Sequence, residues 1–409
     1  IAIISDTHLG HKFGEERGED SFDTLKEAIE IARGADAILL PGDIFDSRIP
    51  RPEVMAKAMK LIFQAKMNKS DAKIMSVLSK NGKEKKVHEL NRDSVPVIAI
   101  YGTHERRGKD MINPVELLDE IGFLVCLHGD CVVIEKNGEK VAVCGLSGVP
   151  EAFAKKALEV VEGRSVRGAY NIMMMHQSIE QYMYSDEFVS ALRFEELPQG
   201  YDLIVNGHIH CYNEKDDMGI HLLIPGSTIT TQVRKKEAAK PKGIVMLDTK
   251  SGKTEFVELK SARKVFYEEI KVEQDNIGNV REDIVDKLSK IVIEEFSKKP
   301  IVKIRLIGKI DRFDNNFNFY DIEKKFSDRI ILTIENRIVS RKQEESFMHI
   351  KKMRDNVVSI NERGFMILAE RSKKAGIRIN FDKIFDALAE DNVELAEKLL
   401  KITEAGEKT

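Results

Sequence analysis

Short apolar runs separated by amphipathic segments set the pattern of the first 260 residues. Residues 1–4, 37–40, 95–100, 172–175 and 201–205 are too short for buried helices and predict buried strands. Between them, Phe22, Leu25, Ala28, Ile29 and Ala32 recur at helical spacing over residues 21–33, and Gly34 is a natural stop. A second helix is predicted over 53–67, after Pro50 and Pro52, with Met55, Met59, Ile62 and Phe63 along one side. That stripe suits a core face or a face that pairs with a second subunit. Further helices are predicted near Pro114 and over 151–162.

Residues 64–94 read as an insertion, with Ser70 capping a short helix that carries Ile74, Val77 and Leu78, followed by an exposed turn at Asn81-Gly82. Strand-like runs at 123–127, 132–135 and 141–144 have Asn137-Gly138 as a hairpin turn. Residues 243–247 and 256–259 form a closing hairpin around Gly252.

The texture changes near Arg263. Strands at 265–272, 301–307 and 330–333 and helices at 281–296 and 321–326 predict a small mixed domain. The expected layout is a core over 1–262, a small α+β domain over 263–339, a charged linker over 340–359 and a helical hairpin over 360–409. In the hairpin, Phe381, Ile384, Phe385, Leu388, Leu395 and Leu399 form an apolar stripe. So short a hairpin cannot bury both of its faces, so part of the stripe is expected to face another surface.

Composition narrows the classes. A chain of 409 residues with 42% hydrophobic content supports two or three domains. No apolar run approaches the ~18 residues a membrane span needs, and no positively charged apolar segment opens the chain, so a cytoplasmic location is expected. Cys126, Cys131, Cys144 and Cys211 contain no CxxC pair and are expected to be reduced thiols. A net charge of −3 argues against a protein that coats DNA generally, while leaving room for a local basic groove. The 33% of charged residues and the absence of Trp fit an ion-pair-rich, thermophile-like surface.

The chemistry sits at the ends of the predicted strands. Asp6 and His8, Asp43, Thr103 and His104, His176, and His208 and His210 each follow one. In open α/β sheets, groups at the carboxyl ends of strands converge. Five of the ten histidines lie at such ends, together with two carboxylates, which is hard to explain as structural placement alone. Mixed imidazole and carboxylate donors favour Mn, Fe or Zn over Mg alone. Arg106, Arg107 and Lys109 directly follow His104, and a basic run spans 234–242; both suit phosphate contact or surface ion pairs.

The set Asp6/His8, Gly42/Asp43, Gly102/His104, His176 and Gly207/His208/His210 resembles the calcineurin-like metallophosphoesterases in order and spacing over about residues 1–260. The resemblance implies a two-sheet α/β sandwich flanked by helices and two divalent metal ions, manganese first. One ion would take Asp6, His8, Asp43 and His210; the other would share Asp43 and take His176 and His208, with His104 near the scissile phosphate. Within that superfamily the chain is similar to double-strand-break repair nucleases of the SbcD and meiotic recombination type. It shares Asp6-Thr7-His8-Leu9-Gly10, Gly42-Asp43-Ile44-Phe45-Asp46, His176-Gln177 and Pro225-Gly226-Ser227 with that group. The resemblance implies DNA as substrate, a small domain that helps hold it, terminal helices docked on an SMC-like coiled-coil ATPase, and a homodimer through the helices after Pro52 and near Pro114.

Two positions depart from the pattern. Thr103 stands where the superfamily has a ligating Asn, implying a weak or water-mediated contact with the second metal, and Asp46 stands where many relatives have a His. Competing readings are a phosphoesterase for small or protein substrates, and a DNA-tethering subunit with weakened catalysis.

Overall fold

The computed structural model describes residues 1–340, apart from 69, 93, 109–110, 184–190, 274–278 and 311–317, together with residues 384 and 395. Strands and helices are numbered along the chain. The first sheet contains β1 (Ala2–Ile3), β2 (Ile38–Pro41), β4 (Val97–Ile100), β5 (Val125–Cys126), β12 (Gly243–Asp248) and β13 (Lys253–Glu258), in the order β13-β12-β1-β2-β4-β5. The second contains β3 (Lys73–Leu78), β6 (Asp130–Lys136), β7 (Glu139–Leu146), β8 (Tyr170–Met175), β9 (Leu203–Asn206), β10 (Asn213–Asp217) and β11 (Ile220–Ile224), in the order β10-β11-β9-β8-β7-β6-β3.

Both sheets have a parallel core; the second is antiparallel at both edges, the first at its β12–β13 edge only, since β5 closes the other edge in parallel. β1, β2, β4 and β5 run parallel in the first, as do β7, β8, β9 and β11 in the second. A parallel centre buried on both faces explains the continuous apolar runs of the sequence. Alternate residues of one strand serve different cores. Leu39, Ile98 and Ile100 meet Ile172, Met174, Leu203 and Val205 between the sheets. Ile38, Leu40, Val97 and Ala99 instead face α1 (Asp20–Ile31), α2 (Pro52–Lys66) and α3 (Pro114–Glu120). On the outer side of the second sheet, Met173, Met175 and Ile204 pack with Ala154 and Leu158 of α4 (Glu151–Leu158). The result is a helix–sheet–sheet–helix sandwich, as the family resemblance implies.

Two local expectations are corrected and one strand is added. The short helix after Ser70 is strand β3, paired with β6 through a bulge between Ile74 and Ser76. The bulge puts Ile74 and Val77 on the same core, so a strand imitates helical spacing. The polar segment of β10 forms an edge strand that no apolar alternation marked. Cys131 and Cys144, expected to be free thiols, face each other across β6 and β7 and form a disulfide; Cys126 and Cys211 are free.

A third sheet runs β14 (Val265–Val272), β15 (Ile301–Ile310), β16 (Ile331–Ser340), with α6 (Val280–Ile291) and α7 (Tyr320–Phe326) and the four-residue α5 (Lys235–Ala238) completing the helices. The chain divides into two compact units: Ile1–Glu268 with Asp286–Ile304 and Tyr320–Ile334, and Glu269–Val285 with Arg305–Phe319 and Glu335–Thr409. Within the first unit, Arg263 Nε donates to both oxygens of the buried Asp20, at 2.9 and 2.7 Å, and Lys298 Nζ reaches Asp23 Oδ2 at 2.8 Å. In the second unit, Arg305 donates to Glu335 at 3.1 and 3.0 Å. Of the apolar stripe expected to meet a partner, Phe381, Phe385, Leu388 and Leu399 lie outside the described residues; Ile384 and Leu395 are helical, the first buried and the second exposed.

Candidate metal centre

The strands β1, β2 and β4 of one sheet and β8 and β9 of the other deliver the expected donors beyond their carboxyl ends. Beyond β1 and β2 the chains stay paired: His8 N–H donates to the Asp43 carbonyl at 3.0 Å and Leu9 N–H to that of Ile44 at 2.7 Å. Four of the donor residues leave the ordinary backbone regions: φ is 48° at Asp6, 45° at His8, 45° at Asp43 and 72° at His208. Left-handed backbone away from glycine costs about 1–2 kcal/mol per residue, and its concentration here marks a site whose geometry the fold imposes.

Glycines make room for that geometry. Gly42 turns at φ +92°, and a Cβ there would stand 2.4 Å from His176 Nδ1. At Gly102 a Cβ would stand 2.1 Å from Asp43 Oδ1 and 2.5 Å from the Asp43 amide nitrogen. Each carboxylate is tied by a backbone amide from another strand end. Asp6 Oδ1 accepts from His208 N–H at 2.9 Å, and Asp43 Oδ1 accepts from His104 N–H at 2.9 Å.

Three overlapping triads of donors result: Asp6, His8 and His210; His8, Asp43 and His104; and Asp43, His176 and His208, with the donor atoms of each within 4.8 Å of one another. His8 Nε2 and His210 Nε2 are 3.2 Å apart, and His176 Nε2 is 3.2 Å from Asp43 Oδ2. His176 Nδ1–H donates to the Pro41 carbonyl at 2.9 Å, which turns the Nε2 lone pair toward Asp43. That buried Nε2 has no hydrogen-bond partner. Facing lone pairs, a buried carboxylate pair and an orphaned nitrogen fit a divalent cation, and the mixed N/O donor set suits Mn, Fe or Zn.

The electrostatics agree. Burial alone would raise Asp43, yet His176, with His8 and His104, holds its carboxyl well below the usual range. Burial alone would lower His176, and the Asp43 carboxylate reverses this and raises it to about 10. Burial, with His176 beside it, keeps His208 down at about 4 and hence neutral. The pocket therefore demands positive charge next to Asp43.

Several supporting residues carried no strong signal in the sequence. Glu105 is fully buried and accepts Phe45 N–H at 2.8 Å and Gly102 N–H at 2.6 Å, joining the turns beyond β2 and β4. Burial, with Asp43 nearby, pushes it up to about 8. Its position directly after His104 was the available clue. Asp46 Oδ1 stands 3.3 Å from His8 Nδ1, 3.3 Å from His11 Nδ1 and 3.8 Å from His104 Nδ1. The position thus holds an anion that three imidazoles share. His210 Nδ1 lies 3.2 Å from Thr231 Oγ1 and 3.7 Å from Glu237 Oε1, itself paired at 2.7 Å with Lys242.

The remaining expected residues are placed as follows. Thr103 Oγ1 donates to Asp43 Oδ2 at 3.4 Å, so the hydroxyl sits beside the shared carboxylate. His104 is exposed, and its Nδ1 lies 3.0 Å from the Asp46 carbonyl oxygen. Arg107 turns to its own loop, donating to the Ile112 carbonyl at 3.1 Å, while Arg106 is half-buried. Lys109 lies outside the described residues. Within the basic run, Lys242 is buried behind His210, and Lys240 donates to the Tyr212 carbonyl at 2.6 Å. Lys242 is therefore structural, while Lys240 is exposed.

Strand ends from two sheets, presenting carboxylates and imidazoles around a cation-seeking centre, define a metal-dependent phosphoester hydrolase. Residues 1–212 match the calcineurin-like phosphoesterase family, and the chain belongs to it. Among individual proteins, it is 26% identical over 322 residues to the DNA double-strand break repair protein Mre11 of Thermoplasma acidophilum, covering 75% of this chain and 76% of that one. It is 26% identical over 412 residues to the Mre11 of Sulfolobus acidocaldarius, covering 97% of each. The double-strand break repair protein MRE11 of Arabidopsis thaliana is 27% identical over 347 residues, which cover 74% of this chain and 48% of the plant protein. The chain thus spans about half the length of its plant relative. No helix among the described residues is long and apolar enough to cross a membrane.

Proposed function

We propose that this chain is a manganese-dependent DNA nuclease that processes double-strand-break ends, working with an SMC-like coiled-coil ATPase. The observation that carries the reading is that the Asp43 carboxylate stands in one donor triad with His8 and in another with His176 and His208, which supports a carboxylate shared by two ions. Asp6, His8, Asp43 and His210 would hold one ion, and Asp43, His176 and His208 the other, with Thr103 offering at most a weak or water-mediated contact. When bound, two such ions polarise the phosphoryl oxygen and supply an activated water. His104 stands exposed at the edge of the donors with Nδ1–H donating to the Asp46 carbonyl, so the imidazolium form would carry on Nε2 the proton to give to the leaving oxygen or to steady charge on the phosphoryl group.

The relatives' role in break repair supports DNA as substrate, with Arg106, Arg107 and Lys109 as candidate phosphate contacts. Residues 263–339 would help hold the duplex, and the stripe from Phe381 to Leu399 would dock on the ATPase. Exposed Phe63 and Met67 at the end of α2, and Leu117 on α3, supply an apolar surface for a homodimer.

The test incubates the protein with Mn or Mg on linear duplex, hairpin and single-stranded DNA, beside a chromogenic phosphodiester. DNA cleavage that disappears in His104→Ala supports the proposal. Turnover of the ester without DNA cleavage makes the chain a phosphoesterase for other substrates. DNA binding without either activity makes it a tethering subunit.

A further inference from the structure

His208 is held differently from the other imidazoles of the centre. Its Nε2 lies 3.1 Å from Ser178 Oγ, and Ser178 Oγ donates to Glu151 Oε1 at 2.7 Å. A hydroxyl has one proton and a carboxylate can only accept, so that proton belongs to Glu151. The Ser178 oxygen must then accept from His208 Nε2–H, which leaves the Nδ1 lone pair as the free donor atom of that ring.

Glu151 sits in the first turn of α4, and Ala154 and Leu158 of that helix are buried against the second sheet. The carboxylate therefore rides on a packed element. Its second oxygen, Oε2, is buried and has no hydrogen-bond partner, so the bond to Ser178 is what the carboxylate's placement serves. Ser178 is itself 1% exposed, which keeps water from replacing either partner. His176, by contrast, takes its orientation from the Pro41 carbonyl, which no side-chain replacement removes.

We infer that Glu151, acting through Ser178, is a positioning residue that fixes the tautomer of His208 and so sets the affinity of the second ion; this rests on the two-ion reading above. Without the carboxylate, the Ser178 hydroxyl is released to donate to Nε2. The ring proton then moves to Nδ1, which occupies the atom needed for the ion. Histidine ligands generally depend on such partners, whose loss costs about 10–100-fold in metal affinity.

The experiment has two readouts on the full chain. Manganese binding is titrated calorimetrically, and the His208 tautomer of the metal-free protein is read from long-range nitrogen–proton NMR correlations. Wild type is expected to show two sites and an Nε2–H ring. Glu151→Ala and Ser178→Ala are each expected to weaken one site by about 10–100-fold, leave the other unchanged and shift the ring toward Nδ1–H. Glu151→Gln keeps an oxygen that accepts from Ser178 and should stay close to wild type, and combining Glu151→Ala with Ser178→Ala should add nothing further. Wild-type tautomer and two-site binding in Glu151→Ala, or equal damage from Gln and Ala, would overturn the inference. A wild-type chain that takes up a single ion refutes the two-ion reading instead, and the tautomer measurement still decides the relay.

Discussion

Gly102→Ala puts the geometry of the centre to its most direct test. The added methyl would stand 2.1 Å from Asp43 Oδ1 and 2.7 Å from Asp43 Cγ, where a Cβ essentially never approaches closer than 3.0 Å. The conflict of about 1 Å falls on a carboxylate fixed by the His104 amide and shared by two donor triads. A displacement of that size at a reacting centre costs on the order of 100-fold in rate, while overpacking costs about 1–3 kcal/mol of stability. The expected result is a folded protein with a modestly lower melting temperature, cleavage reduced about 100-fold and weaker manganese binding. The same methyl at Gly34 meets nothing within 4 Å and serves as the control. If Gly102→Ala cleaves DNA and binds manganese like the Gly34→Ala control, the close approach does not govern the site and the reasoning fails.

Three further outcomes follow from the packing. Lys66 is 5% exposed, donates to Asn91 Oδ1 at 2.6 Å, and is pushed down by burial to about 8. The unfolded chain keeps that proton to about pH 10, so wild-type stability rises between about pH 8 and 10. Lys66→Met removes a penalty of about 3 kcal/mol and leaves Asn91 short of a donor at about 2 kcal/mol, so it should be about 1 kcal/mol more stable at pH 7 and less stable than wild type above pH 10. Urea melts at the two pH values decide this. Arg263→Ala removes the Nε–H that both oxygens of buried Asp20 accept, with Arg17 and Lys298 left nearby at 3.5 and 3.7 Å, and should cost about 2–3 kcal/mol in chemical denaturation. Reducing the Cys131–Cys144 disulfide, which closes a separation of 13 residues, should lower the melting temperature in step with a loss of about 2–3 kcal/mol; an unchanged melt would show that the hairpin needs no staple.

The sequence by itself determined most strands of the sandwich, though not β3 or β10, and the candidate donors at their ends. Asp6, His8, Asp43, His104, His176, His208 and His210 each lie within a few residues of an apolar run, so strand and ligand are read in one short window. Helix α1 was equally legible, because its one apolar stripe faces a single core; on α2 the core face is Val54, Ala58, Ile62 and Ala65, so of the expected stripe Ile62 is buried, Met55 and Met59 are half-buried and Phe63 is exposed. Tertiary structure decided what joins distant windows. His8 and His210 meet across 202 positions, Phe45 and Glu105 across 60, and Ser178 and Glu151 across 27. The bulge that turned helical spacing into strand β3 exists only because β6 lies beside it, and Cys131 meets Cys144 only because β6 and β7 pair in that register. Periodicity records which face of a segment is buried. What lies against that face, and so whether Asp46 and Glu105 are solvated charges or parts of the centre, is settled by loops held at left-handed φ between two sheets, where no local pattern reaches.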